Sequence, residues 1–211
     1  MSDFTFYFEL GLFHVLDVKA YDHLIFLAAL SIPLSFRQFN TVFWLVTFFT
    51  IGHTSSLFIS VYEIFRPPVD LIEFLIPLTI IITGISNIIN SHKLKLNIRL
   101  GILVSLFFGI IHGFGFGNYF NQVSFPDDSK MEPLISFALG VEVAQLIIVS
   151  VILIINYLVV NLLNQQQTKY INIGSAFITG FAFNMLLNIV SVSYTHLRAH
   201  ETVLDLVCRL L

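Results

Sequence analysis

Long apolar runs separated by short polar breaks dominate this chain. The runs over residues 4–16, 21–36, 40–63, 70–91, 97–118, 132–162 and 170–190 each predict a helix. A stretch of about 20 apolar residues crosses a hydrocarbon core about 30 Å thick. The first run has about 13 residues, or roughly 20 Å of helix, and reads as a half-helix rather than a crossing. No internal repeat emerges, which gives no support to an inverted-repeat transporter. The pattern predicts an all-α fold, a polytopic transmembrane helical bundle with six or seven membrane segments. Residues 1–190 form one integral-membrane domain in this reading.

Composition strengthens the membrane assignment. Of 211 residues, 56% are hydrophobic and 11% charged, against about 25% charged in an ordinary soluble domain; the mean hydropathy is +0.87. The helices use nearly the whole length, leaving no room for a second soluble domain. The net charge is −3, and the basic residues sit in loops rather than in a stripe with aromatics, which argues against nucleic acid. Met1 to Glu9 contain no Lys or Arg, so the basic start of a secretory signal is missing. Orientation follows from loop charge. His92-Lys93-Leu94-Lys95 through Arg99 is the most basic connection and belongs inside. Arg37 and Lys169 then also fall inside, and Asp127, Asp128 and Glu132 outside. Arg66 and Lys19 fall outside as well, beside acidic neighbours.

Ionisable side chains inside a bilayer are costly and mark function by default. Four histidines lie in the apolar, glycine-marked segments: His14, His23, His53 and His112. Asp22-His23 with His14 makes half a divalent-metal site, Asp22 either ligating or orienting a ring. The plainer alternative is an interfacial Asp-His pair anchored by Tyr21. His53 is flanked by Thr50, Thr54, Ser55 and Ser56, and alone reads as a packing histidine bonded to hydroxyls. His112 shares its helix with Gly109, Gly113, Gly115 and Gly117, which allow close helix approach or open space for an ion. Glu73 and Glu142 are the acidic residues set well inside the spans, and Gln145 shares a helix face with Glu142. No Lys or Arg stands at matching depth, so a proton or a bound cation is expected to satisfy them. Helical rise puts His53 and His112 roughly 20 Å along helices that start inside, and the two glutamates about 5 to 15 Å down helices that start outside. Asp22 and His23 are expected at the outer mouth. The whole set is thus expected to share one depth in the outer half of the bilayer.

Other chemistry finds no foothold. The single cysteine, Cys208, excludes a thiolate cage. The 23 phenylalanines read as lipid-facing and packing surface. A phosphate loop, a Gly-x-Ser-x-Gly elbow and a His-Glu-x-x-His signature are all missing.

Together these blocks resemble the HupE/UreJ family of bacterial membrane proteins. The matching stretches are His14 with Tyr21-Asp22-His23-Leu24, Phe49-Thr50-Ile51-Gly52-His53-Thr54, Val69 to Ile76 with Glu73, Phe108 to Phe116 with His112, and Phe137 to Glu142 with Gln145. The family's usual interval between its first His and Asp-His is shorter than the seven residues found here. The resemblance implies a multi-pass protein of the bacterial inner membrane that handles nickel or cobalt, with zinc compatible with the same donors. The implied metal residues are His14, Asp22, His23, His53, Glu73, His112, Glu142 and Gln145. The implied partners are the bilayer, the metal ion, a homo-oligomer or metalloenzyme-maturation proteins. The expected function is a permease or accessory protein rather than an enzyme. The alternatives are an intramembrane metal-dependent hydrolase using Ser55 or Ser56 and a metal-binding partner that does not transport.

One segment stands apart. Val192-Ser193-Tyr194-Thr195-His196-Leu197-Arg198-Ala199-His200-Glu201-Thr202 is similar to translated read-through of a transposase-type sequencing adapter. Residues 191–211 are therefore set aside as a non-native or disordered tail, and His196, His200 and Cys208 take no part in the site argument.

Overall fold

The computed structural model describes residues 3–17, 21–92, 98–123 and 130–210, with side chains described through 191. The described residues are helical: α1 (Asp3–Leu16), α2 (Tyr21–Ser31), α3 (Phe39–Val61), α4 (Val69–Asn90), α5 (Ile98–Val123), α6 (Met131–Tyr157) and α7 (Gln167–Leu210). Five of them, α3 to α7, are long and apolar enough to cross a membrane. The expected six or seven crossing segments are not met by single helices. α1 has 14 residues and α2 only 11. The run read as 21–36 stops at Ser31 because Pro33 lacks an N–H and disfavours helix at the residue before it. The backbone of α7 stays helical to Leu210, beyond the break read at residue 191. Lys19, Lys93, Lys95, Asp127 and Asp128, used to orient the chain, lie outside the described residues.

Two close helix pairs set the frame. In the first, α3 lies against α5 along Gly109, Gly113 and Gly117, spaced every four residues. A β-carbon on Gly109 would meet the Phe49 carbonyl, and one on Gly113 the His53 carbonyl and Ser56 Oγ. Small residues at this spacing let the backbones touch, which replaces the hydrophobic drive that lipid cannot supply. In the second, α1 lies against α6, where Gly11 faces the Phe137 carbonyl and Gly140 faces the Phe8 carbonyl.

α1 and α2 follow α6 in series. α1 meets α6 around Phe137 and Gly140, whereas the end of α2 meets it at Asn156. Asn156 Nδ2 donates to the carbonyls of Ser31 and Leu34, each at 3.0 Å. Tyr170 on α7 donates its hydroxyl to Asn156 Oδ1 at 2.6 Å. The carbonyls left open where α2 stops are thus satisfied by one amide of α6, which Tyr170 of α7 in turn holds in place. The outward surface carries Trp44, Leu103, Phe107, Ile147 and Phe177, all exposed, as a lipid-facing bundle requires.

Candidate metal-handling site

The carboxyl end of α1, the start of α2 and the middles of α3 and α5 bring the four histidines together. Ring centroids are 4.8 Å apart for His14 and His23, 5.4 Å for His23 and His112, 5.9 Å for His14 and His53, and 6.0 Å for His23 and His53. His23, expected at the outer mouth, is 4% exposed and stands at the level of His53.

Hydrogen bonding sorts the ring nitrogens. His112 Nδ1 lies 2.8 Å from the carbonyl oxygen of Phe108, which only accepts, so Nδ1 carries the hydrogen. His23 Nδ1 lies 3.2 Å from Asp22 Oδ1. A hydrogen on that nitrogen again leaves Nε2 with its lone pair free, the tautomer that ligating histidines adopt. His14 Nε2, His23 Nε2, both nitrogens of His53 and His112 Nε2 are buried without a partner. None of the hydroxyls flanking His53 reaches its ring. Ser55 Oγ donates to the Ile51 carbonyl at 2.6 Å, and Ser56 Oγ lies 3.2 and 3.0 Å from the carbonyls of Gly52 and His53. The packing account of His53 through neighbouring hydroxyls therefore fails. Burying polar groups unpaired is costly, and because a neutral imidazole has one lone-pair nitrogen, these five nitrogens on four rings offer up to four borderline donors.

Above the rings lies a cavity of about 160 Å³, lined by His14, Asp22, His23, Glu73 and His112 with Ser60, Arg66 and Asn118. Glu73 is exposed at its wall. His53 is fully buried behind the other rings. Arg66 is held aside, its Nε donating to the Ser60 carbonyl and its Nη2 to Glu63 Oε1, each at 3.1 Å. Its charge thus serves the carbonyl end of α3.

Glu142 and Gln145 do not join this group. Thr47 Oγ1 donates to Glu142 Oε1 at 2.6 Å, and Thr50 Oγ1 bonds Glu142 Oε2. Thr50 Oγ1 also lies 2.9 Å from Gln145 Oε1 and 3.2 Å from the Val46 carbonyl. A hydroxyl has one hydrogen for these three oxygens. Turning the Gln145 amide over removes one of the three, because Nε2, otherwise buried without a partner, then donates to Thr50, whose hydrogen goes to the Glu142 carboxylate as the stronger acceptor. The expectation that only a proton or cation would satisfy Glu142 is corrected: two threonine hydroxyls do so. Thr47 and Thr50 precede His53 by one to two turns, so the carboxylate sits about 5 to 9 Å further along α3 than the imidazoles. The single shared depth expected from helical rise divides into two levels. Thr47, Thr50 and Asn156 were not singled out as partners, and only Thr50 had a sequence signal, its place one turn before His53.

Among the described residues, no three His, Cys, Asp or Glu side chains stand close enough to hold a metal ion as they are. The rings converge without closing into a cage.

Residues 1–193 match a protein-family model described as HupE / UreJ protein. No curated protein and no solved structure matches the chain.

Proposed function

We propose, on the premise that this chain belongs to the HupE/UreJ family, that it is a permease drawing a divalent transition metal from the outer cavity into the imidazole cluster. The observation that carries this reading is the five buried, unpartnered imidazole nitrogens contributed by α1, α2, α3 and α5. Nickel or cobalt, the metals associated with the family, suit such donors. Asp22 and Glu73 attract the cation at the cavity wall, and Asp22 orients His23. Metal–imidazole bonds are about 2 Å long, which puts the centroids of two rings on one ion roughly 4.5 to 5.5 Å apart, so rings standing 4.8 to 6.0 Å apart bind chiefly by turning their lone pairs inward. α1 and α2 act as the two halves of one broken crossing in the inner membrane of a bacterium. Residues 1–190 work as one membrane domain, and residues 191–211 contribute nothing to the site. Glu142 and Gln145 serve the step after the imidazoles, the carboxylate compensating the charge of the passing ion.

The test is nickel or cobalt uptake into vesicles containing the purified full chain, for wild type, His53→Ala and His112→Ala at matched protein levels. Loss of uptake in both variants supports the reading. Uptake equal to wild type in both overturns it. Metal binding by calorimetry without uptake in the wild type assigns the chain to a binding partner instead.

A further inference from the structure

A second cavity, of about 520 Å³, opens at the other end of the same helices. Its polar wall is made of Gln38, Ser86, Asn87, Asn90, Ser91 and Gln167, and no described lining residue is charged. These residues come from the ends of α4 and the starts of α3 and α7, the end assigned to the inside by loop charge.

Three helices carry the same order of side chains between the two cavities. On α2 it is His23, Phe26, Leu30; on α5 it is His112, Phe108, Val104; on α3 it is His53, Phe49, Leu45. Each step is about one helical turn. The histidines belong to the outer cluster, and Leu30, Leu45, Val104 and Phe108 line the second cavity. Between them, Phe26 packs against both Phe49 and Phe108. Phe26 lies 5.0 Å from Phe49 and 5.6 Å from Phe108 between ring centroids, and both Phe26 and Phe49 reach the His112 ring, at 5.4 and 5.2 Å. Phe26 and Phe49 are fully buried and Phe108 is 5% exposed. Aromatic rings that exclude water from a constriction stop an ion as effectively as a charge barrier.

Building on the uptake reading above, we propose that this second cavity is the inner vestibule of the pathway, receiving a hydrated divalent cation, and that Phe26, Phe49 and Phe108 form its closed gate. An ion with about six waters needs roughly 180 Å³, which the vestibule accommodates. Amide and hydroxyl oxygens suit an ion regaining its water, whereas the imidazoles suit one that has shed it. The fold is held open to the outer side and shut towards the inner one.

The test reads accessibility rather than transport, so it stands or falls apart from the metal assignment. In a full-length Cys208→Ser background, Ser86→Cys reports on the vestibule and Asn118→Cys on the outer cavity. Silver ion, applied separately to each face of sealed vesicles without nickel or cobalt, is the probe. The expected result is modification of the two cysteines from opposite faces only. Adding Phe49→Ala, or separately Phe108→Ala, is expected to raise modification of Ser86→Cys from the outer-cavity face by roughly tenfold or more. An unchanged rate from its own face shows that each variant is folded. Equal modification of Ser86→Cys from both faces with the phenylalanines intact overturns the gate. So does an outer-face rate that neither alanine changes in a folded variant.

Discussion

The carbonyl oxygen of His53 stands where a β-carbon on Gly113 would have to go. One missing methyl group therefore fixes the distance between the helix carrying His53 and the helix carrying His112. Gly113→Ala meets the His53 backbone as well as the Ser56 hydroxyl, so α3 and α5 must separate, at a cost of about 1–3 kcal/mol for such overpacking. Thermal unfolding in detergent should register that loss. Metal affinity should fall with it, because the two imidazoles move apart. An unchanged melting temperature and affinity would show that the helix contact does not hold the site.

Asp22 touches the same cluster through His23 Nδ1. Removing an orienting carboxylate typically lowers metal affinity by about 10–100-fold. Asp22→Ala is expected to weaken cobalt binding on that scale in calorimetry while leaving the helical signal in circular dichroism unchanged.

The Glu142 carboxylate depends on two hydroxyls. Thr50→Val keeps the shape of the side chain, removes one of them and strands Gln145, at a cost of about 1–3 kcal/mol. A lower midpoint of unfolding checks this. Glu142→Gln, which keeps a hydrogen-bonding group in place, should leave affinity at the outer cavity near wild type and slow uptake instead, because Glu142 lies past the imidazoles. Equal loss of affinity in Glu142→Gln would place the carboxylate among the first ligands.

Asn156 closes the end of α2, donating to Ser31 and Leu34 while accepting from Tyr170. Asn156→Ala leaves several buried groups without partners, and the protein is expected to lose about 1–3 kcal/mol per stranded group. Hydrogen exchange at the amides of α2 should then quicken first, before those of α3 and α5.

Acidity offers a further check. Imidazole binds metal only in its neutral form, so binding releases protons and protons compete with metal. Uptake measured with the same pH on both faces should weaken as the medium is acidified. Uptake that rises on acidification would point to a proton-driven step outweighing the competition.

The helices were legible because length and hydropathy are local properties. All seven runs begin within a few residues of the helices found, and the seven-helix, strand-free character of the described chain follows from the same pattern. The run at 21–36 was overextended, although Pro33 was there to be read. The identity of the four histidines was also legible, since they and the two glutamates are the ionisable residues set deep in apolar sequence. Their partners were not. Glu142 looked unpaired because its hydroxyl donors, Thr47 and Thr50, lie some 90 positions away in the chain, on a helix that only packing brings alongside.

By itself, then, the sequence determined that this is a helical membrane protein of the HupE/UreJ family and which side chains are candidates for its chemistry. Hydrophobic run length and residue type suffice for that, because the bilayer forces each backbone segment to satisfy itself locally. Tertiary structure decided which of those side chains meet. The glycine contacts of α3 with α5 and of α1 with α6 bring four imidazoles from four elements to one place. The same packing sends Glu142 and Gln145 to a separate level with two threonines. Rotation and depth of one helix against another depend on contacts between distant residues, and no local pattern carries that information.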